Sequence, residues 1–151
     1  MRLVIQRVKE ARVEVAGQIT GSVGIGLLVF LGVAKPDTEA EADYLLDNLT
    51  GLRVFPDENG KMNRSVVEAG GGLLIVSQFT LYGDCRRGRR PRFDLAADAA
   101  QAQALYDYFV TAARRRPLRV ETGVFQATMQ VHLVNDGPVT IWMDSAERGT
   151  K

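Results

Sequence analysis

The sequence is poor in the side chains that most often carry enzymatic chemistry. It holds one cysteine, Cys85, and one histidine, His132. A lone cysteine closes no internal disulfide, and one Cys with one His cannot supply a zinc site built from several such ligands. An excess of charge of one sign is also missing. The net charge is +1, so contact with nucleic acid would have to come from local clusters of arginine. No apolar run is long enough to span a bilayer. The opening MRLVIQRVKEARVEV carries charges throughout and does not read as a signal peptide. The expectation is a cytoplasmic protein with no membrane partner. The phosphate loop GxxxxGK[ST] and the nucleophile elbow GxSxG are both absent.

What is present reads as one domain. The chain has 151 residues, 46% hydrophobic and 25% charged, which suits a soluble fold with a real core. Residues 1–145 read as that domain and 146–151 as a flexible tail. Leu3 to Val8 alternates as a first strand, Ala11 to Val15 alternates again, and AGQITG turns into another. GIGLLVFLGVA reads as a buried strand, although periodicity alone does not separate it from a helix. Thr38 and Glu41 form a capping box for a helix to Gly51, with Ala42, Leu45, Leu46 and Leu49 on its apolar face. Leu52 to Phe55 reads as a short strand. LLIVSQFTL, from Leu73 to Leu81, reads as a buried strand that ends in polar residues. A second helix starts at Asp98 and Gln101 and runs to about Arg114, with Leu105, Tyr108, Phe109 and Ala112 on one face and Pro117 behind it. LRVE, TMQVHLV and PVTIWMD read as closing strands, the last two joined by an NDGP turn. Hairpins near each end with two main helices between them imply an α+β fold with mixed or antiparallel sheets.

Three stretches can carry chemistry. The first is Ser77, Gln78, Phe79 and Thr80. Polar residues at the end of a buried strand need partners, either neighbouring backbone or a ligand, and the residues leave both open. A Thr hydroxyl needs a base to act as a nucleophile, and none lies nearby in the chain. His132 sits in an alternating strand, and Asp84 and Asp136 sit in turn-like contexts, so a Ser-His-Asp triad is a poor fit. Backbone N–H groups that stabilise an oxyanion remain as an option. The second stretch is CRRGRRPR, with Arg86, Arg87, Arg89, Arg90 and Arg92. It is a basic loop that is either solvated or bound to phosphate. Cys85 lies within it but lacks a histidine partner. The third is Asn135-Asp136-Gly137-Pro138, which by itself favours a plain turn. The X-Pro bond there can also be cis at low cost.

Taken in order, MRLVIQRVKEARVEV, GLLVFLGV, FPDENGKMN, GLLIVSQFTLYGD, ALYDYF and TGVFQATMQVHLVNDGPVTIW resemble the D-aminoacyl-tRNA deacylases, first called D-tyrosyl-tRNA(Tyr) deacylases. The likeness covers nearly the whole chain. Its most specific pieces are SQFTL at 77–81 and NDGPVT at 135–140. The resemblance implies a chiral-proofreading hydrolase that releases a D-amino acid from tRNA, and also acts on glycyl-tRNA mischarged on tRNA(Ala), with no cofactor and no metal. It implies a homodimer in which a cis Gly137–Pro138 peptide enters the partner's site and excludes L-amino acids. Ser77, Gln78, Phe79 and Thr80 would form the opposite wall, with N–H groups near Phe79 and Thr80 on the ester carbonyl and the ribose 2′-OH assisting. Phe125 and Met129 would lie at the adenosine. Arg86, Arg87, Arg89 and Arg90 are candidates for tRNA phosphate. Two alternatives remain. One is a non-catalytic RNA-binding module that uses the arginine loop, and the other is an esterase with Thr80 or Cys85 as nucleophile. A related family that removes L-alanine shares the fold but lacks this form of the Gly-Pro motif. Tyr82-Gly83 stands where many members carry smaller residues.

Overall fold

The structure is a computed structural model that describes residues 1–149. Its strands are β1 (Arg2–Val15), β2 (Gln18–Val23), β3 (Gly26–Gly32), β4 (Phe55–Pro56), β5 (Met62–Arg64), β6 (Gly72–Ser77), β7 (Arg119–Thr122) and β8 (Gln130–Asp144). Its helices are α1 (Glu39–Gly51) and α2 (Ala99–Arg114). The main sheet runs β2-β1-β3-β6-β7, with β8 along the other side of β1. β1 is antiparallel to β2, β3 and β8, whereas β3–β6 and β6–β7 are parallel. The α+β class with mixed pairing and two main helices is as the sequence implied. β4 and β5 form a separate small hairpin, so the short strand expected at Leu52–Phe55 starts later, at Phe55.

The apolar runs of β3 and β6 have a simple cause. Leu27, Val29 and Leu31 of β3, with Leu73 and Ile75 of β6, face one hydrophobic cluster together with both helices. Leu28 and Leu74 with Val76 face a second cluster with Val8, Ala11 and Val13 of β1. A strand covered on both faces has no use for alternation. β1 serves both clusters along one strand, with Leu3 and Ile5 in the first and Val8, Ala11 and Val13 in the second. The facing slips between Val8 and Ala11, which share a cluster although they are three residues apart, and the pairing with β8 shifts register there, between Val8 and Glu10.

α1 carries the expected capping box. The Glu41 carboxylate accepts from Thr38 N–H at 2.7 Å, and the Thr38 hydroxyl accepts from Ala40 N–H at 3.3 Å. Asp98 caps α2 by accepting from Gln101 N–H at 2.8 Å. The buried face of α2 is Leu105, Tyr106, Phe109, Val110 and Ala113, not the face through Tyr108 and Ala112. The Tyr106 hydroxyl reaches the Ile75 carbonyl at 2.8 Å, whereas Tyr108 reaches Asp43 at 2.9 Å near the surface. Two tyrosines so close together satisfy either face, and only packing against β6 selects one.

Two further expectations are corrected. The strand LLIVSQFTL stops at Ser77, and Phe79–Tyr82 is a 3-10 turn. Gln78 N–H still reaches the Leu31 carbonyl at 2.8 Å, but β3 ends at Gly32 and offers no further ladder. NDGP does not join two strands. β8 runs unbroken from Gln130 to Asp144, because β1 is long enough to pair with both of its halves. In the tail, Ser145–Glu147 form a 3-10 turn and Arg148 donates to the Ala40 carbonyl at 2.9 Å. Residues 150 and 151 lie outside the described residues.

The Met1 ammonium is buried between Asp37 Oδ1 and Ser145 Oγ, each at 2.6 Å. Asp37 Oδ2 also accepts from Ala34 N–H at 2.6 Å. Asp37→Asn leaves that cation without its counter-charge. It is expected to lower the unfolding free energy by roughly 3–5 kcal/mol, read by chemical denaturation.

Candidate functional site

Where β6 ends, the chain turns away and a cavity of about 510 Å3 opens. One wall is Ser77, Gln78 and Phe79, and another is Phe125, Gln126, Ala127 and Met129 from the segment between β7 and β8. Gly123 N–H holds that segment to the Ile75 carbonyl at 3.2 Å. The Phe125 ring leans on Tyr106 with centroids 6.0 Å apart. Ala97, Ala99 and Ala102 at the start of α2 close the space. These alanines were not singled out in the sequence, nor was Gln126. The signal is the run AADAAQAQA, whose small side chains leave volume where larger ones would fill it.

No side chain lining this cavity is acidic, basic, a thiol or an imidazole. Thr80 is next to the lining, exposed at the rim, and its hydroxyl accepts a hydrogen bond from the Gln78 amide. Phe79 N–H and Thr80 N–H are the first donors of the 3-10 turn, so neither has a partner within it. Of the expected site residues, Ser77, Gln78, Phe79, Phe125 and Met129 therefore meet in one place, with Thr80 beside them.

Gly137 and Pro138 do not line the cavity. Gln6 pairs with Thr140 and Val8 with Asn135, so Asp136 to Val139 stand opposite Arg7 alone and bulge outward. Asn135 bridges the bulge. It accepts from Val139 N–H at 3.1 Å and donates to Thr140 Oγ1 at 3.1 Å. Arg7 ties the bulge down, with Nε 3.0 Å from the Asp136 carbonyl and Nη1 2.5 Å from the Val54 carbonyl. The Gly137–Pro138 peptide is cis, and Gly137 has φ +139°. A Cβ at Gly137 would meet Val139 Cγ2 at 2.8 Å and Arg7 Nη2 at 3.2 Å. Both residues are exposed.

The 3-10 turn is held from behind by Arg2. Its Nη1 donates to the Leu81 carbonyl at 2.9 Å, its Nε donates to Asp144 at 2.8 Å, and the guanidinium lies 4.3 Å over the Tyr82 ring. Burial, helped by the charges of Asp37 and Asp144, pushes the Tyr82 hydroxyl pKa far above its usual value, so it stays a neutral phenol.

Beyond the turn, Arg86 pairs with both oxygens of Asp84, at 2.9 and 2.8 Å. Those hydrogen bonds hold the Asp84 carboxyl well below the usual carboxylate range. Arg92 pairs with Asp94 at 2.5 Å. Cys85 is exposed on this loop. His132 lies on β8, 3.6 Å from Glu14, and does not line the cavity. No triad of Ser or Thr with His132 and an acid is assembled there.

The site is thus a neutral cavity on an α+β scaffold, bounded by neutral side chains, with two unpaired turn N–H groups beside it. Residues 4–144 match the family described as D-Tyr-tRNA(Tyr) deacylase. A D-aminoacyl-tRNA deacylase of Solibacter usitatus is 60% identical, covering all of both chains. One of Thermus aquaticus is 55% identical over 98% of this chain and 97% of its own. Among solved structures, the c-Myc DNA Unwinding Element Binding Protein superposes with a TM-score of 0.90 at 41% identity, over 95% of this chain and 98% of its own. A probable eukaryotic D-amino acid tRNA deacylase has a TM-score of 0.81 at 19% identity, over 94% and 97%, a likeness of fold alone. The chain belongs to the D-Tyr-tRNA(Tyr) deacylase family.

Arg2→Gln removes the donor that fixes Leu81. Amide exchange at Leu81 to Gly83 is expected to speed up about tenfold, as loss of one charged hydrogen bond implies, with far-UV dichroism unchanged.

Proposed function

We propose that this chain hydrolyses the ester of D-aminoacyl-tRNA, the activity for which its relatives are named, and also that of glycyl-tRNA mischarged on tRNA(Ala). The observation that carries the reading is the cavity at the end of β6, where Ser77, Gln78 and Phe79 face Phe125 and Met129 with no titratable group among them. Phe125 and Met129 receive the terminal adenosine. The N–H groups of Phe79 and Thr80 take the oxyanion as water adds to the ester carbonyl carbon. The acyl C–O bond then breaks, and the ribose oxygen leaves with a proton. With no side-chain base in the cavity, the neighbouring ribose 2′-OH orients the water. The Thr80 hydroxyl is already engaged by Gln78, which favours water over Thr80 as nucleophile. A tRNA substrate also suits the cytoplasm.

Chiral selection requires something opposite the Phe79–Thr80 wall, and Gly137–Pro138 is absent from this chain's own cavity. In the proposed homodimer the exposed bulge of one copy enters the cavity of the other. There its backbone leaves room for hydrogen or a D-side chain and collides with an L-side chain, so selection is by exclusion.

Release of tyrosine from D-Tyr-tRNA but not L-Tyr-tRNA is the expected result, and equal or absent release would refute the assignment. Thr80→Ala and Cys85→Ala are expected to retain D-selective release, whereas a terminal 2′-deoxyadenosine slows it at least about a hundredfold, the usual scale for acid–base assistance. The pH profile is expected to rise without a histidine-like inflection between about pH 5 and 8. Gly137→Ala, strained at φ +139°, and Ala102→Phe, which fills the cavity, are each expected to be inactive. Mixed as subunits they restore about a quarter of wild-type activity, because half the dimers then hold one intact site. No recovery on mixing would sink the proposal that the bulge acts in the partner's site.

A further inference from the structure

The arginine loop is built, and it is built onto the cavity. Its two ends are pinned together by Asp84 N–H to the Arg92 carbonyl at 2.7 Å and Arg92 N–H to the Asp84 carbonyl at 3.0 Å. The Gly83 N–H just before it reaches the Thr80 carbonyl at 3.0 Å. Phe93 just after it stands edge-on to Phe79, a cavity residue, with centroids 5.0 Å apart. At its apex Gly88 takes φ +87°, which lets the chain reverse between the two arginine pairs. The loop is therefore fixed at the rim of the cavity.

Its arginines divide into two groups. Arg86 and Arg92 are committed to Asp84 and Asp94. Arg87, Arg89 and Arg90 are exposed and have no carboxylate partner among the described residues. Three uncompensated guanidiniums on a pinned loop form a concentrated positive patch on a chain of net charge +1. Forked guanidiniums suit phosphate oxygens. A nucleic acid whose last nucleoside fills the cavity can lead its preceding phosphates out over this rim, where Phe93 of the loop meets Phe79 of the cavity.

We propose that Arg87, Arg89 and Arg90 form a phosphate subsite for the single-stranded nucleotides that precede the terminal adenosine, and that Arg86 and Arg92 shape the loop. The inference rests on the reading of the cavity as an aminoacyl-adenosine site. The subsite reads backbone and not bases, so it grips the 3′ end of any tRNA.

The test compares kcat/KM for D-Tyr-tRNA with that for 3′-O-D-tyrosyl adenosine, which has no phosphate, between 50 and 200 mM KCl. Each single-strand phosphate contact contributes a log–log salt slope of about −0.7, so three contribute about −2, or roughly twentyfold over this fourfold range. In the variant Arg87→Ala, Arg89→Ala, Arg90→Ala, the slope on tRNA is expected to flatten by about 2, and the preference for tRNA over the nucleoside ester is expected to fall. Arg89→Gln alone, a milder change, is expected to flatten the slope by about 0.7. Arg114→Gln with Arg115→Gln removes charge at the far end of α2. That helix has 16 residues and is about 24 Å long at 1.5 Å per residue, so the slope is expected to stay as in wild type. An unchanged slope in the triple variant overturns the subsite, as does equal flattening in the Arg114 and Arg115 control. If wild type cleaves tRNA but not the nucleoside ester, the subsite stands or falls on the slopes alone. If it cleaves neither, the reading of the cavity itself fails and the subsite with it.

Discussion

Strands β3 and β6 are covered on both faces, and the position of the site follows from that constraint. One cluster lies between the sheet and the two helices, and the other takes in the second half of β1 and the first half of β8. Within such a strand a polar side chain would be buried without water. Polar residues come in only where β6 leaves the sheet, at Ser77 and the following Gln78, where both become partly exposed. β3 ends beside it, the ladder runs out, and the chain tightens into the 3-10 turn. Turning there leaves backbone donors free at the mouth of a cavity, and a longer β3 would have paired them.

A cavity without titratable side chains changes which interactions matter. In the proposed reaction, binding and rate come from shape, from fixed N–H dipoles and from groups that the substrate brings. Rigidity of the wall then takes the place of tuned pKa values. The turn is gripped by Arg2 and by the Phe79–Phe93 contact, and the bulge in β8 is gripped by Arg7 and bridged by Asn135. These polar side chains act on backbone carbonyls and amides. Each would look like an ordinary surface residue if judged by composition alone.

The helices were legible because their signals are local. Thr38 with Glu41 and Asp98 with Gln101 mark the starts of α1 and α2 as the caps require. The buried face of α1 follows from Ala42, Leu45, Leu46 and Leu49. α2 was misread because Tyr106 and Tyr108 are both amphipathic, and only the Ile75 carbonyl distinguishes them. Phe125 and Met129 came from a resemblance to a family, since nothing in their spacing relates them to Ser77. The alanines that leave the cavity its volume left only the trace of their small size.

By itself the sequence determined the two helices and their caps, the buried character of β3 and β6, the lack of the several Cys and His residues that one kind of zinc site needs, and the motifs that tie the chain to its family. These depend on residues near one another in the chain. Only the tertiary structure decided that β6 stops at Ser77, and that Asp136 to Val139 form a bulge inside one strand and not a turn between two. The reason is physical. A strand's length and a turn's meaning are set by its partner, so β6 stops at Ser77, where its pairing with β3 runs out, and NDGP is a bulge because β1 is long enough to pair on both sides of it.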